Sequence, residues 1–356
     1  MPIKIFKVLL TPILALLFGL GASLVIAWML GESPIHVILV LLNSSFGSLT
    51  DFGYSLYYAT PLFLTGLSVA WAFRAGLFNI GAEGQMALGG LAMAAVGICL
   101  PGLSSAIAIP LAFMVAFMVG GAWGAIAGWM KSYRGCHEVL STIMLNFIAY
   151  GLSSFFILNV FKNPASQVPE TAEVGLGYQL ASLTQIGGSS PLSTAIFLSL
   201  IALLVFAFVM GKTRFGLYQR LAGGGPELGR LAGVNMKRQV ISAMFISGGL
   251  AALAAAGPVL GFAHKTREGF TSSMGFVGIA VALLGRNSAL GIFFSALLFG
   301  VLSKGALDLD LDTRYVSRDL ATVIQAFIVL AVASQPGVSR LVAELRSRRA
   351  RSLERR

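Results

Sequence analysis

The sequence predicts an all-α polytopic membrane protein with about ten transmembrane segments. Of its 356 residues, 56% are hydrophobic and 11% charged, against about 25% charged in soluble domains. Mean hydropathy is +0.84, and apolar stretches of roughly 20 residues, the length that crosses a bilayer, recur along the chain. The 42 glycines suit helices that pack closely in lipid. One membrane domain is expected over 1–340, followed by an arginine-rich tail, 341–356, at the cytoplasmic surface.

The segments read as 8–30, 54–74, 85–100, 104–130, 139–161, 192–211, 239–262, 275–286, 288–303 and 319–334. The first follows Lys4 and Lys7, exceeds a signal-peptide core and lacks a cleavage site, so it reads as a spanning helix. The third and eighth are too short for a straight span. IHVILVLLNSSFGS, in the stretch 34–49, reads as an amphipathic helix on the outer face. With the N-terminus inside, 19 Lys and Arg fall inside and 6 outside, which favours N-in and C-in. The same placement explains the net charge of +11 as membrane orientation and contact with lipid headgroups, not nucleic-acid binding.

Segments two to five and seven to ten can be laid side by side. GLSVAWAFRAGLFNIGAEGQ faces GGLAALAAAGPVLGF, and HEVLSTIMLNFIA faces RDLATVIQAFIVLA. Starting five helices apart, the halves are inverted in the membrane, a plan that transporters use with the pathway between repeats.

RAGLFNIGAEGQ (74–85) is the most polar interruption of the apolar pattern. After Arg74, at the inner end of the second segment, the chain is expected to break and re-enter the bilayer, which requires cover by protein or a cavity. Asn79, Glu83 and Gln85, with Asn146, Asn287 and Gln325, are the candidates for lining a pathway for a moderately polar solute. Each is equally suited to capping a broken helix or joining two helices. Glu83 is the costliest in lipid and so belongs in the bundle interior.

Gly120, Gly124 and Gly128 stand four apart on one helical face and are read as helix packing. The interior loop 212–238 contains LAGGGPELGRLAGVN. Pro226 suits a first helical turn, Glu227 its positive end, and Gly233 its close. This short helix needs a partner surface; a docking helix for a cytoplasmic protein and an ordinary surface turn are the two readings. The outer loop 162–190 is either a contact for an external partner or a solvated connector.

Met210-Gly211-Lys212-Thr213 is not a phosphate-binding loop, because position 206 is Phe where the signature needs Gly. His36, His137 and His264 are scattered, Cys99 and Cys136 are expected at opposite faces, and no nucleophile–base pattern appears. No metal, cofactor or enzymatic activity is therefore expected.

FRAGLFNIGAEGQ, HEVLSTIMLNFIA, LAGGGPELGRLAGVN and GFVGIAVALLGRNSALGIFFSALLFG, in that order from about Thr60 to Gln335, resemble one family. They are similar to the permease subunits of nucleoside-type ABC importers served by basic-membrane-lipoprotein binding proteins, within the ribose and branched-chain amino acid permease superfamily. The resemblance implies a bacterial inner-membrane location and a second, usually non-identical, permease subunit. It also implies cytoplasmic ATPases and an extracytoplasmic binding protein, with a nucleoside favoured as cargo and a simple sugar next. Gly225, Pro226, Glu227, Arg230, Ala232 and Gly233 would then form the coupling helix on the ATPase. Gly225 departs from the family's usual Asn before Pro, and glycine is a poorer but acceptable cap. The competing reading is an ion-coupled secondary transporter, which normally needs several intramembrane carboxylates; only Glu83 and Glu138 are candidates here.

Overall fold

The computed structural model describes residues 17–313, 319–320, 322–328 and 330–331, without the side chains of Pro226 and Leu228. Lys4, Lys7, the start of the first expected segment, Arg314, Arg318 and the basic tail 341–356 lie outside the described residues. Among the described residues, seven helices are long and apolar enough to cross a membrane, and three more are apolar but shorter.

The helices follow in order as α1 (Leu17–Met29), α2 (Pro34–Phe46), α3 (Leu49–Arg74), α4 (Ala82–Cys99), α5 (Ser105–Arg134) and α6 (Glu138–Asn159). A polar connection containing a tight helical turn at Leu176–Tyr178 and a single α-turn, α7 (Thr184–Gly187), leads to α8 (Ala195–Lys212), α9 (Arg214–Gly223) and α10 (Pro226–Leu231). After these come α11 (Met236–Leu253), α12 (Met274–Leu284) and α13 (Ala289–Asp312), and the described residues among 319–331 are helical as well. The second to ninth expected segments have helical counterparts, and the 34–49 stretch forms α2. Leu17–Met29 of the first segment and the described residues of the tenth are helical, and 8–16, 321, 329 and 332–334 lie outside the described residues.

Two boundaries differ from the sequence reading. The second segment begins at Leu49, where Ser48 caps it by accepting from the Asp51 amide, five residues before the expected start. The third segment was expected to be too short to span, but α4 begins at Ala82 and runs 18 residues, long enough to be a candidate span. Polar residues concealed its first turn: Glu83 and Gln85 are helical and buried. The eighth segment, α12, is short, with 11 residues.

The chain forms two compact units. The smaller comprises 1–41 and 306–356; in it Phe18 and Phe327 meet edge to face at 6.2 Å. The larger spans 42–305 and is centred on α3, which is buried over most of its length. A helix covered on all sides carries no polar face, and Pro61 is tolerated in its interior because neighbouring helices cover the freed backbone group.

Among the described residues, the pairing of α5 with α11 is the most extensive contact between helices. Ala108, Ala112, Ala116, Gly120, Gly124 and Gly128 are all buried at four-residue spacing along α5. Added methyl groups at Gly120, Gly124 and Gly128 would meet Ala252, the Met244 carbonyl and Ile241 of α11 respectively. Small residues thus bring two backbones together, which gives dispersion where lipid offers no hydrophobic drive. Beyond Leu253 the chain winds more loosely through Ala256–Ala263, where Pro258 removes an amide donor.

Candidate functional site

The stretch 74–85 makes a corner between α3 and α4. Gly76 turns it at φ 72°. Asn79 Oδ1 accepts from the Gly81 amide at 2.9 Å and so supports the start of α4, where Gly81 itself has no side chain to cap with. Asn79 Nδ2 donates to Gln85 Oε1 at 2.8 Å and to Ser247 Oγ of α11 at 2.7 Å, and Ser247 Oγ donates to the Ser68 carbonyl of α3. Asn146 of α6 holds the other side. Its Oδ1 accepts from Gly84 N at 2.9 Å and its Nδ2 donates to the Ile80 carbonyl at 3.0 Å. Thr142 Oγ1 accepts from the Ile80 amide at 3.3 Å. Asn79, Gln85, Asn146, Thr142 and Ser247 are all buried, and a buried corner of this kind keeps its backbone groups paired through these side chains.

Glu83 reaches in a different direction. Its carboxylate accepts from the backbone amides of Ser273, at 2.9 Å, and Gly275, at the first turn of α12. Glu83 also lies in the first turn of α4. The N-termini of two interrupted helices therefore meet at one negative charge, which both helix dipoles favour. Ser272 and Ser273 turn the chain into α12 at φ 45° and 64°. A side chain on Gly275 would collide with the Glu83 backbone, so this approach requires glycine.

The depth of this joint follows from α12. Its far end turns through Arg286 and Asn287, both left-handed, at φ 51° and 52°. There the Asn287 carbonyl accepts from Arg74 Nε at 3.0 Å and Nη2 at 2.8 Å. The 11 residues of α12, at 1.5 Å each, separate Glu83 from the Arg74 level by up to about 16 Å, roughly half the thickness of a bilayer core.

A cavity of about 350 Å³ opens beside Glu83. Tyr150 and Ser153 of α6 line one wall, and Thr266, Phe270, Thr271 and Ser273 another. Ser153 Oγ is buried and has no hydrogen-bond partner among the described residues. Over this wall the outer connection is stitched down by backbone bonds, Thr171 N to Thr266 O and Glu268 N to Pro169 O. Buried Glu170 accepts from Lys265 Nζ and Arg267 Nε, both at 2.8 Å. The Lys265 hydrogen bond, outweighing burial, holds the Glu170 carboxyl down to about 2, with help from Arg267.

Four of the six pathway candidates, Asn79, Glu83, Gln85 and Asn146, thus surround one corner. Asn287 sits at the other end of α12, and Gln325 lies half-buried in the smaller unit. Sequence reasoning missed Ser247 and Thr142 as partners of this corner and Tyr150 and Ser153 as lining of the cavity beside it; the signal was a hydroxyl inside an apolar run, as in MFISGGLAAL.

On the basic side, Gly225 (φ 132°) leads into α10 and Gly233 (φ 70°) closes it. Gly233 N donates to Arg230 O and Val234 N to Gly229 O, a glycine-ended helix stop. Glu227 and Arg230 pair at 3.4 Å and are mostly exposed. The preceding helix α9 ends against the corner itself, where a methyl on Gly223 would collide with the Arg74 carbonyl. Cys99 and Cys136 are free thiols, and no cluster of three or more metal-ligating side chains occurs among the described residues.

These features describe a multi-pass helical membrane protein with a buried polar joint at the starts of two helices and a small exposed helix between basic segments. The chain belongs to the family of branched-chain amino acid transport system permease components, which matches residues 52–333, and is a membrane-spanning permease subunit of the ABC importer kind. It is 35% identical over 350 residues (97% of this chain, 99% of the relative) to the guanosine ABC transporter permease protein NupP of Bacillus subtilis. It is 34% identical over 334 residues (91% and 90%) to the nucleoside ABC transporter permease protein NupB of Lactococcus lactis. The glucose ABC transporter permease protein TsgB13 of Haloferax volcanii is 32% identical over 333 residues (90% and 86%). The first two organisms each hold a second similar permease, NupQ at 29% and NupC at 24% identity over shorter spans.

Proposed function

We propose that this chain is one of two non-identical permease subunits of an ABC importer for nucleosides, driven by cytoplasmic ATPases and supplied by an external binding protein. The observation that carries the cargo is the near full-length similarity to permeases named for guanosine and nucleosides. The paired relatives within one organism support a second, different subunit. With an inner-face position for Arg74, the interior loop would seat α10 on the ATPase through Gly225, Pro226, Glu227, Arg230 and Gly233. Motion would pass through α9 to the Gly223–Arg74 contact and so to the corner at Asn79.

The cavity beside Glu83 is our candidate for part of the solute route. Its 350 Å³ lies in the range of small-molecule sites, and it offers hydroxyls, a phenol, a phenyl ring and an unpartnered Ser153 Oγ. The inverted repeat is supported by the head-on meeting of the α4 and α12 N-termini, since interrupted helices near the midplane recur in such transporters. Ion coupling is disfavoured by the state of the two candidate carboxylates. Glu138 is paired with Lys131 at 2.5 Å, and Glu83 is occupied by two backbone amides.

The test is uptake of labelled guanosine into vesicles carrying this chain, its sister permease, the ATPase and the binding protein. Uptake should require ATP and stop with vanadate. Uptake that persists without ATP and collapses with an ionophore would reverse the energetics. Competition by glucose but not by uridine would favour a sugar cargo, the reading that TsgB13 supports.

A further inference from the structure

A second cavity, of about 320 Å³, lies at the basic end of the larger unit, between α3, α8, α9 and the start of α13. Its polar lining is Arg74, Arg220 and Ser288; its apolar lining includes Phe206, Met210 and Leu290, and no carboxylate lines it. Arg74 Nε and Nη2 are committed to the Asn287 carbonyl, which leaves Nη1 without an acceptor among the described residues. Arg220 is exposed. Ser288 Oγ accepts from Gly291 N and Ser288 O from Ile292 N. The first amides of α13, at Ala289 and Leu290, have no acceptor among the described residues. Two guanidiniums and the start of a 24-residue helix therefore converge, which is the chemistry of a phosphate site.

The apolar wall selects the source of that phosphate. It continues into exposed faces of α8 and α13, where Leu204 is 71% and Leu290 76% exposed. A free anion needs no such wall, whereas a phospholipid places its headgroup between cations and its chains along apolar helices. We infer that this cavity is a site for the headgroup of an anionic phospholipid of the inner leaflet, held by Arg74, Arg220 and the α13 N-terminus. The bound headgroup links α9, through Arg220, to the Arg74–Asn287 contact at the end of α12. This site lies apart from the solute route and holds whatever the cargo.

The test uses the full chain purified in mild detergent, stripped of lipid and titrated with phosphatidylglycerol or with phosphatidylcholine of the same acyl chains. Bound lipids are counted by native mass spectrometry. The wild type should hold phosphatidylglycerol in preference to phosphatidylcholine. Arg220→Gln should weaken it about fivefold, the effect of one arginine near an anionic surface. Leu290→Glu, at an exposed position, should weaken it as well. Arg238→Gln, a charge change outside the cavity, should leave it unchanged. Equal retention of both lipids, or equal loss in the Arg238 and Arg220 variants, overturns the assignment. Binding of millimolar inorganic phosphate with the same Arg220 dependence, and no preference between lipids, assigns the cavity to a free anion and overturns the lipid reading.

Discussion

Glu83 offers the sharpest test of the joint between α4 and α12. Its two carboxylate oxygens accept from the Ser273 and Gly275 amides, and its side chain is 2% exposed. Glu83→Ala removes both acceptors and leaves the buried Gly275 N–H unpaired, while the N–H of exposed Ser273 can turn to water. At about 1–3 kcal/mol for a buried orphaned donor, the loss is on the order of 1–3 kcal/mol. Glu83→Gln keeps one carbonyl acceptor but points an amide donor at the other N–H, so its loss should lie nearer the lower end of that range. The assay is thermal unfolding of the purified chain in detergent, with expression level and size-exclusion profile as controls. The expected midpoints fall in the order wild type, Glu83→Gln, Glu83→Ala, with a drop for the alanine variant on the order of 5 °C. A Glu83→Ala protein that unfolds at the wild-type temperature would refute the capping role. A Glu83→Gln protein that keeps its stability but loses uptake would assign the carboxylate to the solute instead.

Three further outcomes follow from other contacts. Gly124→Leu forces a side chain into the Met244 backbone and Gln85; overpacking typically costs about 1–3 kcal/mol and occasionally more, so folded yield should fall sharply, while Gly151→Leu, with open space around it, should not change it. Glu170 has a depressed folded pKa, so its contribution is complete above the ordinary carboxylate value and is lost as pH falls toward about 2. Hydrogen exchange at 264–268, corrected for intrinsic rate, should therefore rise below about pH 4.5, and Glu170→Gln should show the raised exchange already at pH 7. Because the Glu227–Arg230 pair is exposed and contributes little stability, Glu227→Arg should leave unfolding unchanged yet reduce ATP-driven uptake; unchanged uptake argues against α10 as the coupling element.

Much of the architecture was legible because lipid admits few solutions. Apolar length gave the helices, and turn chemistry around Pro226 and Gly233 gave α10. The glycines of α5 marked a close face, although its continuation through Ala116, Ala112 and Ala108 was hidden among ordinary apolar residues. The misplaced start of α4 has a physical origin: hydropathy cannot distinguish a polar loop from a polar first helical turn buried among partners. Those partners, Ser247 on α11, Asn146 on α6 and Ser273 before α12, lie between 62 and 190 residues away in the chain. No local pattern announces pairs so far apart. The identity of Asn79, Glu83 and Gln85 as unusual was readable; what they bind was a property of the folded chain.

The saturation of the corner restricts where this protein can bend. Every polar atom that Asn79 and Glu83 present there already has a backbone or side-chain partner. Pulling α4 from α12 would leave the buried Gly275 amide without its acceptor, so the joint favours movement of the two helices as one piece. The moving boundary must then run along faces without such bonds. The outward surfaces of α5, α6 and α8, apolar and exposed along most of their lengths, can slide against lipid or a neighbouring subunit without breaking a hydrogen bond.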